Sequence, residues 1–195
     1  MPGAVKTRLA ALLGSDGAAA LHAGLVRHAL AAAVQSGVGA VELWCAPDER
    51  HPFFERCASE FGVALERQQG ADLGERLRHA FESAHRRGAA LLLIGSDCPT
   101  LDAGSLQEAA RELRTHDAVI APAEDGGYVL VGLARPLPRL FEGIAWGGSA
   151  VMGETRARLA EIGTHWKELG TFWDIDRPAD YARLQQAGML REVLS

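Results

Sequence analysis

Residues 90–96, Ala-Leu-Leu-Leu-Ile-Gly-Ser, make an apolar run without polar alternation, closed by Asp97-Cys98-Pro99. So short a run between turn residues predicts a strand buried on both faces, because a strand with one wet face alternates. Helices that connect parallel strands cover a sheet on both sides, so the run points to the α/β class.

The flanking segments comply. Ser15 and Asp16 can cap a helix carrying a Leu21, Leu25, Leu30 stripe, with Gly37 to end it. Residues 41–46 (VELWCA) read as a short strand, 51–62 as a helix and 63–68 as a strand. Residues 72–88 start acidic at Asp72 and end basic, the distribution a helix dipole favours. After the central run come a helix over 101–116 and strands over 117–123 and 127–133 around the turn Glu124-Asp125-Gly126-Gly127. A helix over 149–163, a strand within 164–175 and a helix opened by Pro178 complete the chain. The expected fold is α/β: a three-layer, Rossmann-like, mostly parallel sheet, with the 117–133 pair as an antiparallel addition. Without repeats or linkers, residues 1–195 form one domain long enough for a full core.

Twenty cationic and 25 anionic residues leave a net charge of −5, which argues against a nucleic-acid partner. The basic residues Lys6 and Arg8 nevertheless share an opening stretch with no acid, which suits a small anionic ligand. Cys45, Cys57 and Cys98 lack paired spacing, so the expected setting is reducing and cytoplasmic. The sequence suggests no membrane-spanning run and no signal peptide, so no membrane partner is expected. The apolar segment 127–133 permits a homodimer without requiring one.

In open α/β sheets ligands bind beyond the carboxyl ends of the strands, so chemistry is sought there. Asp97 follows the central strand and is stiffened by Pro99, a placement suited to a divalent cation on phosphate oxygens or simply to starting a turn. Asp174 and Asp176, two apart in an extended segment, point the same way. Asp176 can cap the last helix or join Asp97 in holding a cation, since nucleotide-bound Mg²⁺ takes one or two carboxylates. Gly3 allows a tight turn from which Lys6 and Arg8 can meet a phosphate, although the spacing of a P-loop is missing and an exposed basic end is the plainer reading. Glu124 and Asp125 before Gly126 and Gly127 make either a bland hairpin or a place where backbone nears a ligand. Asp72 reads as a helix cap, and Arg76 can reach solvent or a phosphate. The histidines show no metal-ligand spacing, and His22, His28, His79 and His85 read as rim residues of helices.

Six ordered blocks carry a resemblance: PGAVKTRL, DLGERL, IGSDCPTL, APAEDGGYVLVGL, FEGIAW and DIDRPADYARL. They resemble a bacterial family labelled glycosyltransferase or selenodomain-associated transferase, similar in fold to nucleotide-diphospho-sugar transferases. Phospholactate and molybdenum-cofactor guanylyltransferases are related to it. The resemblance implies Lys6 and Arg8 in a nucleotide-phosphate loop, Asp97 and Asp176 on Mg²⁺ or Mn²⁺, and Glu124, Asp125, Gly126 and Gly127 on the acceptor or sugar side. It also implies a strand before Pro2-Gly3 that this sequence does not carry, for which a start codon assigned too late is the expectation. Gly148 and Val129 depart from the family pattern, which bears on the substrate more than the fold.

The expected function is a metal-dependent transferase using a nucleotide-activated donor and a small acceptor, with a nucleotide-sugar glycosyltransferase first. A nucleotidyltransferase releasing pyrophosphate and a silent nucleotide-binding module are the alternatives, and metal-dependent turnover separates the last from the others.

Overall fold

Local signals set most element ends. The computed structural model describes residues 2–194. A 3-10 turn, Thr7–Leu9, leads into α1 (Ala10–Ser36), followed by β1 (Glu42–Cys45), α2 (Pro52–Phe61), β2 (Ala64–Arg67) and α3 (Leu73–Arg86). Then come β3 (Leu91–Ile94), α4 (Ala103–Glu112), β4 (Ala118–Pro122) and β5 (Tyr128–Leu133). The chain continues through α5 (Val151–Glu161), β6 (Trp166–Glu168), α6 (Pro178–Gln186) and α7 (Leu190–Leu194). Asp72 caps α3 by accepting from the Glu75 N–H at 2.8 Å, and Asp102 does the same for α4 from Ser105 at 2.8 Å. α1 starts earlier than expected, but Gly14 breaks it with φ 70° and ψ 167°, so its main segment begins at Ser15. The expected cap at Asp176 is corrected: Arg177 holds that position, and Asp180 reaches back to the Asp176 and Arg177 N–H groups at 3.0 and 2.6 Å.

The strands form a four-stranded sheet in the order β3-β5-β4-β6 and a separate parallel pair β1-β2. β4 pairs with β5 antiparallel and with β6 parallel, and β5 pairs antiparallel with β3. The antiparallel strand is thus wedged into the sheet rather than appended to it. A tight turn sets β5 beside β4, and its other edge takes up β3 (Leu93 opposite Val131). Among the described residues β1 pairs with β2 alone and β3 with β5 alone, so each keeps one open ladder edge.

Helices cover both faces of the larger sheet, as the unalternating strands require. Leu77 and Phe81 of α3 and Met152 and Leu159 of α5 pack with Ile120, Val131 and Leu133. On the opposite face Leu106 and Ala109 of α4, with Leu113 just after it, pack with Val119, Ala121 and Leu130. α1 bridges the two sheets: Val26 and Leu30 join the cluster containing Leu43 of β1, while Ala33 packs on the one containing Leu92 and Ile94 of β3. Its outer end meets the C-terminal helices in a cluster of Leu9, Leu21, Leu25, Trp173, Ile175, Leu184 and Val193. There a Cβ on Gly24 would lie 2.2 Å from the Val193 carbonyl oxygen, so only glycine permits the crossing.

The stretch Thr7–Ser36 is long and apolar enough by length and composition to cross a membrane, contrary to the reading of the sequence. Its apolarity is largely alanine, broken by His22 and His28; Leu21, Leu25 and Leu30 are buried where it packs on its neighbours α2, α4 and α7, whereas Leu12 is exposed.

Candidate functional site

The apolar cluster that joins Leu9 to Trp173, Ile175 and Leu184 determines where the basic loop goes. It brings residues 6–8 to the carboxyl end of β3, where the Asp97 carbonyl accepts from the Ile175 N–H at 2.9 Å. Lys6 Nζ lies 2.8 Å from Asp97 Oδ2 and also donates to the Ile175 carbonyl. The Lys6 side chain is 5% exposed and that of Asp97 40%, so the amine is enclosed while the carboxylate keeps an open side. Lys6 is the non-glycine residue with positive φ among those described (φ 48°, ψ 42°). This left-handed geometry costs about 1–2 kcal/mol and persists because the surrounding contacts hold it.

Burial pushes the Asp97 carboxyl up, and the His22 ring and the Lys6 ammonium overcome that, holding it below the usual carboxylate range. Arg8 forms an exposed ion pair with Asp176. Asp174 shares the Asp97 surroundings: burial raises its carboxyl, the nearby Asp125 raises it further, and Lys6 opposes them. The backbone alternates here, with Ile175 fully buried between the two aspartates.

The turn after β4 docks from the other side. Asp125 Oδ1 accepts from the Gly127 N–H at 2.8 Å, and Gly126 (φ 92°) would place a Cβ 2.2 Å from the Ser149 carbonyl. The Met152 N–H donates to the Gly126 carbonyl at 2.8 Å, tying the turn to the start of α5. Glu124 grips Arg183 at 2.7 and 3.1 Å, and that guanidinium lies 4.3 Å from the Trp173 ring centre.

Of the residues singled out in the sequence, Lys6, Asp97, Arg8 and Asp176 are brought to one end of the sheet, and Asp125 acts electrostatically on Asp174 there. Gly3 forms an exposed turn (φ 78°) ahead of them. Asp176 turns to Arg8, and Asp174 is the carboxylate that senses Asp97. Arg76 is directed to its own loop, with Nε on the Gly70 carbonyl at 3.3 Å and a guanidinium nitrogen on Gln68 Oε1 at 3.4 Å. The sequence reading missed His22, whose Nδ1 is 3.6 Å from Asp97 Oδ1. A signal was present: His22 stands one turn from each of the buried residues Ala18 and Val26.

Among the described residues no three His, Cys, Asp or Glu side chains gather to cage a metal. Asp97 and Asp174, which interact electrostatically, are the two carboxylates that could hold a Mg²⁺, since a phosphate-bound Mg²⁺ takes only one or two from protein.

A family profile described as "Uncharacterized protein conserved in bacteria (DUF2064)" matches residues 11–148. The chain belongs to the DUF2064 family. It is 32% identical to a 3-phospho-D-glycerate guanylyltransferase of Phenylobacterium zucineum, over 97% of this chain and 89% of that protein. It is 31% identical to a phosphoenolpyruvate guanylyltransferase of Sphaerobacter thermophilus, over 92% and 86% respectively. A Desulfovibrio desulfuricans structure named for nucleotide-diphospho-sugar transfer superposes with a TM-score of 0.83 at 29% identity, covering 99% of this chain and 93% of the other. A 4-diphosphocytidyl-2C-methyl-D-erythritol synthase shares the fold at a TM-score of 0.59 and 12% identity, over 88% of each chain. This DUF2064 member is therefore a transferase with the nucleotide-diphospho-sugar transferase fold. Its relatives favour nucleotidyl transfer over the sugar transfer expected first.

Proposed function

We propose that the protein transfers a guanylyl group from GTP to a small phosphorylated acid, of the phosphoenolpyruvate or 3-phosphoglycerate kind. An acceptor phosphate oxygen attacks the α-phosphorus, a new P–O–P linkage forms, and the bond to the β-phosphate oxygen breaks to release pyrophosphate. The observation that carries this reading is the closure of the basic N-terminal loop on the carboxylate after β3, with Lys6 2.8 Å from Asp97.

Lys6 and Arg8 exchange their carboxylate partners for the β- and γ-phosphates and stabilise the charge that develops on leaving pyrophosphate. The Gly3 turn lets backbone N–H groups approach the same phosphates. Asp97, with Asp174 near it, would hold Mg²⁺ or Mn²⁺. The cation would neutralise phosphate charge and polarise the reacting centre. Asp125 and the Gly126-Gly127 backbone line the acceptor side, and the Glu124–Arg183 pair stiffens its rim.

A thermal-shift panel tests this: GTP, other nucleoside triphosphates and GDP-sugars, each with and without Mg²⁺ or Mn²⁺. At a hundred times its dissociation constant a ligand stabilises by about 2.7 kcal/mol. That corresponds to a rise of roughly 5–11 °C for a domain of this size. The expected result is a metal-dependent rise with GTP. A rise confined to GDP-sugars would restore the glycosyl reading, and GTP binding without turnover would leave a silent module.

A further inference from the structure

α1 carries two histidines along the face that meets the loop after β3. His28 Nε2 lies 2.9 Å from the Pro99 carbonyl, and His22 Nδ1 lies 3.6 Å from Asp97 Oδ1. The His22 nitrogen is sealed from solvent and has no hydrogen-bond partner at ordinary length. A buried donor left unmade costs about 1–3 kcal/mol, so a shift of a few tenths of an ångström that completes this bond is favourable. The two oxygens of Asp97 are already in different hands: Lys6 is on Oδ2 at 2.8 Å, while His22 and the Ser96 hydroxyl, at 3.5 Å, face Oδ1.

We propose that His22 is a positioning residue for Asp97: its Nδ1–H holds Oδ1, so that Oδ2 alone is presented when Lys6 moves to the incoming phosphates. The inference rests on the reading of Asp97 as the cation ligand. Its structural basis is separate. α1 is a rigid element fixed by buried leucines, and His28 anchors the same loop farther along it. A carboxylate held at one oxygen has lost the freedom to rotate, and partners of this kind are worth 10–100-fold in metal affinity. Ser96 cannot take over the role, because its flexible hydroxyl sits on the same loop as Asp97.

The test compares H22L, H22N and H22Q with the wild type, using Mn²⁺–GTP as the probe and calorimetry as the readout. Asn places an N–H where Nδ1 stands, whereas Gln reaches the position of Nε2. H22L is expected to bind Mn²⁺–GTP at least about tenfold more weakly. H22N should stay within about threefold of wild type and bind more tightly than H22Q. If H22L loses its fold, the Asn–Gln comparison still decides. Wild-type affinity in H22L, or equal affinity in H22N and H22Q, would overturn the proposal.

A second readout needs no nucleotide. In the ligand-free protein, ¹⁵N spectra of the imidazole should show a proton on His22 Nδ1 that exchanges faster in D97A. A ring in the Nε2–H form would overturn the proposal. If wild type ignores Mn²⁺–GTP, the proposed function fails, and this spectrum alone decides whether His22 holds Asp97.

Discussion

Replacing Lys6 separates what its ammonium does from what its backbone costs. In K6M the donor shared by Asp97 and the Ile175 carbonyl disappears. Hydrogen bonds to charged groups contribute about 1.5–3 kcal/mol. Because Asp97 is 40% exposed, water replaces part of the loss, which favours the lower end, about 2 kcal/mol. At roughly 2–4 °C per kcal/mol, K6M should melt about 4–8 °C below wild type. K6G loses the same amine but relaxes the left-handed backbone at φ 48°. After the entropy of glycine is subtracted, it should recover about 1 kcal/mol of that loss. Turnover should behave differently: both variants should fall about 10²–10³-fold, the scale for one lost donor to developing charge. Thermal melts and steady-state pyrophosphate release measure the two quantities on the same preparations. A K6M protein that turns over like wild type, or a K6G protein that regains activity along with stability, would refute the assignment of the amine to catalysis.

Asp174 is raised by burial and by Asp125, so the fold disfavours its charged form, and D174N should melt higher than wild type at pH 7 while turning over more slowly. That gain should shrink as pH falls through the raised carboxyl and vanish below the ordinary carboxylate range, where both states are protonated; a constant gain down to pH 3 would contradict the burial. Asp97, held low, has the opposite sign: its contribution to stability is present above the ordinary carboxylate range and is lost as pH falls through its lowered value, and D97N should abolish that loss. G126A forces a side chain into the left-handed region and to within 2.2 Å of the Ser149 carbonyl, so it should lose about 3 kcal/mol by urea unfolding; a loss under 1 kcal/mol would mean that the turn and the start of α5 are not joined as described. In hydrogen exchange, β5, paired on both edges, should be protected more strongly than β1 and β3, which each keep an open edge; equal protection would show those edges to be covered.

The order of strands and helices was legible because each is written in local signals: the unbroken apolar run at 91–94, the carboxylate at Asp72, and the glycine at 37. The wedging of β5 between β3 and β4 was not, since strand order depends on pairing between distant segments whose apolar residues look alike from either edge. At the site, Lys6, Arg8 and Asp97 could be found because two cations in a short loop and an acid after a buried strand are conspicuous. Period-two reasoning put Asp174 and Asp176 on one side but could not divide them between Asp97 and Arg8. That division follows from Arg8 standing two residues beyond Lys6 on the same turn. Arg76 read as a free cation because the carbonyl of Gly70 that it meets has no side chain to announce it. His22 was passed over as a rim residue although its neighbours one turn away, Ala18 and Val26, are buried.

The central claim is attack at the α-phosphorus with pyrophosphate as the leaving group. ³¹P NMR of GTP, phosphoenolpyruvate or 3-phosphoglycerate, Mg²⁺ and this protein tests it most directly. The account predicts a growing pyrophosphate resonance together with a coupled pair of signals from a new P–O–P linkage, both absent in D97N. Unchanged GTP beside consumption of a GDP-sugar, with GDP as the only new nucleotide, would contradict it.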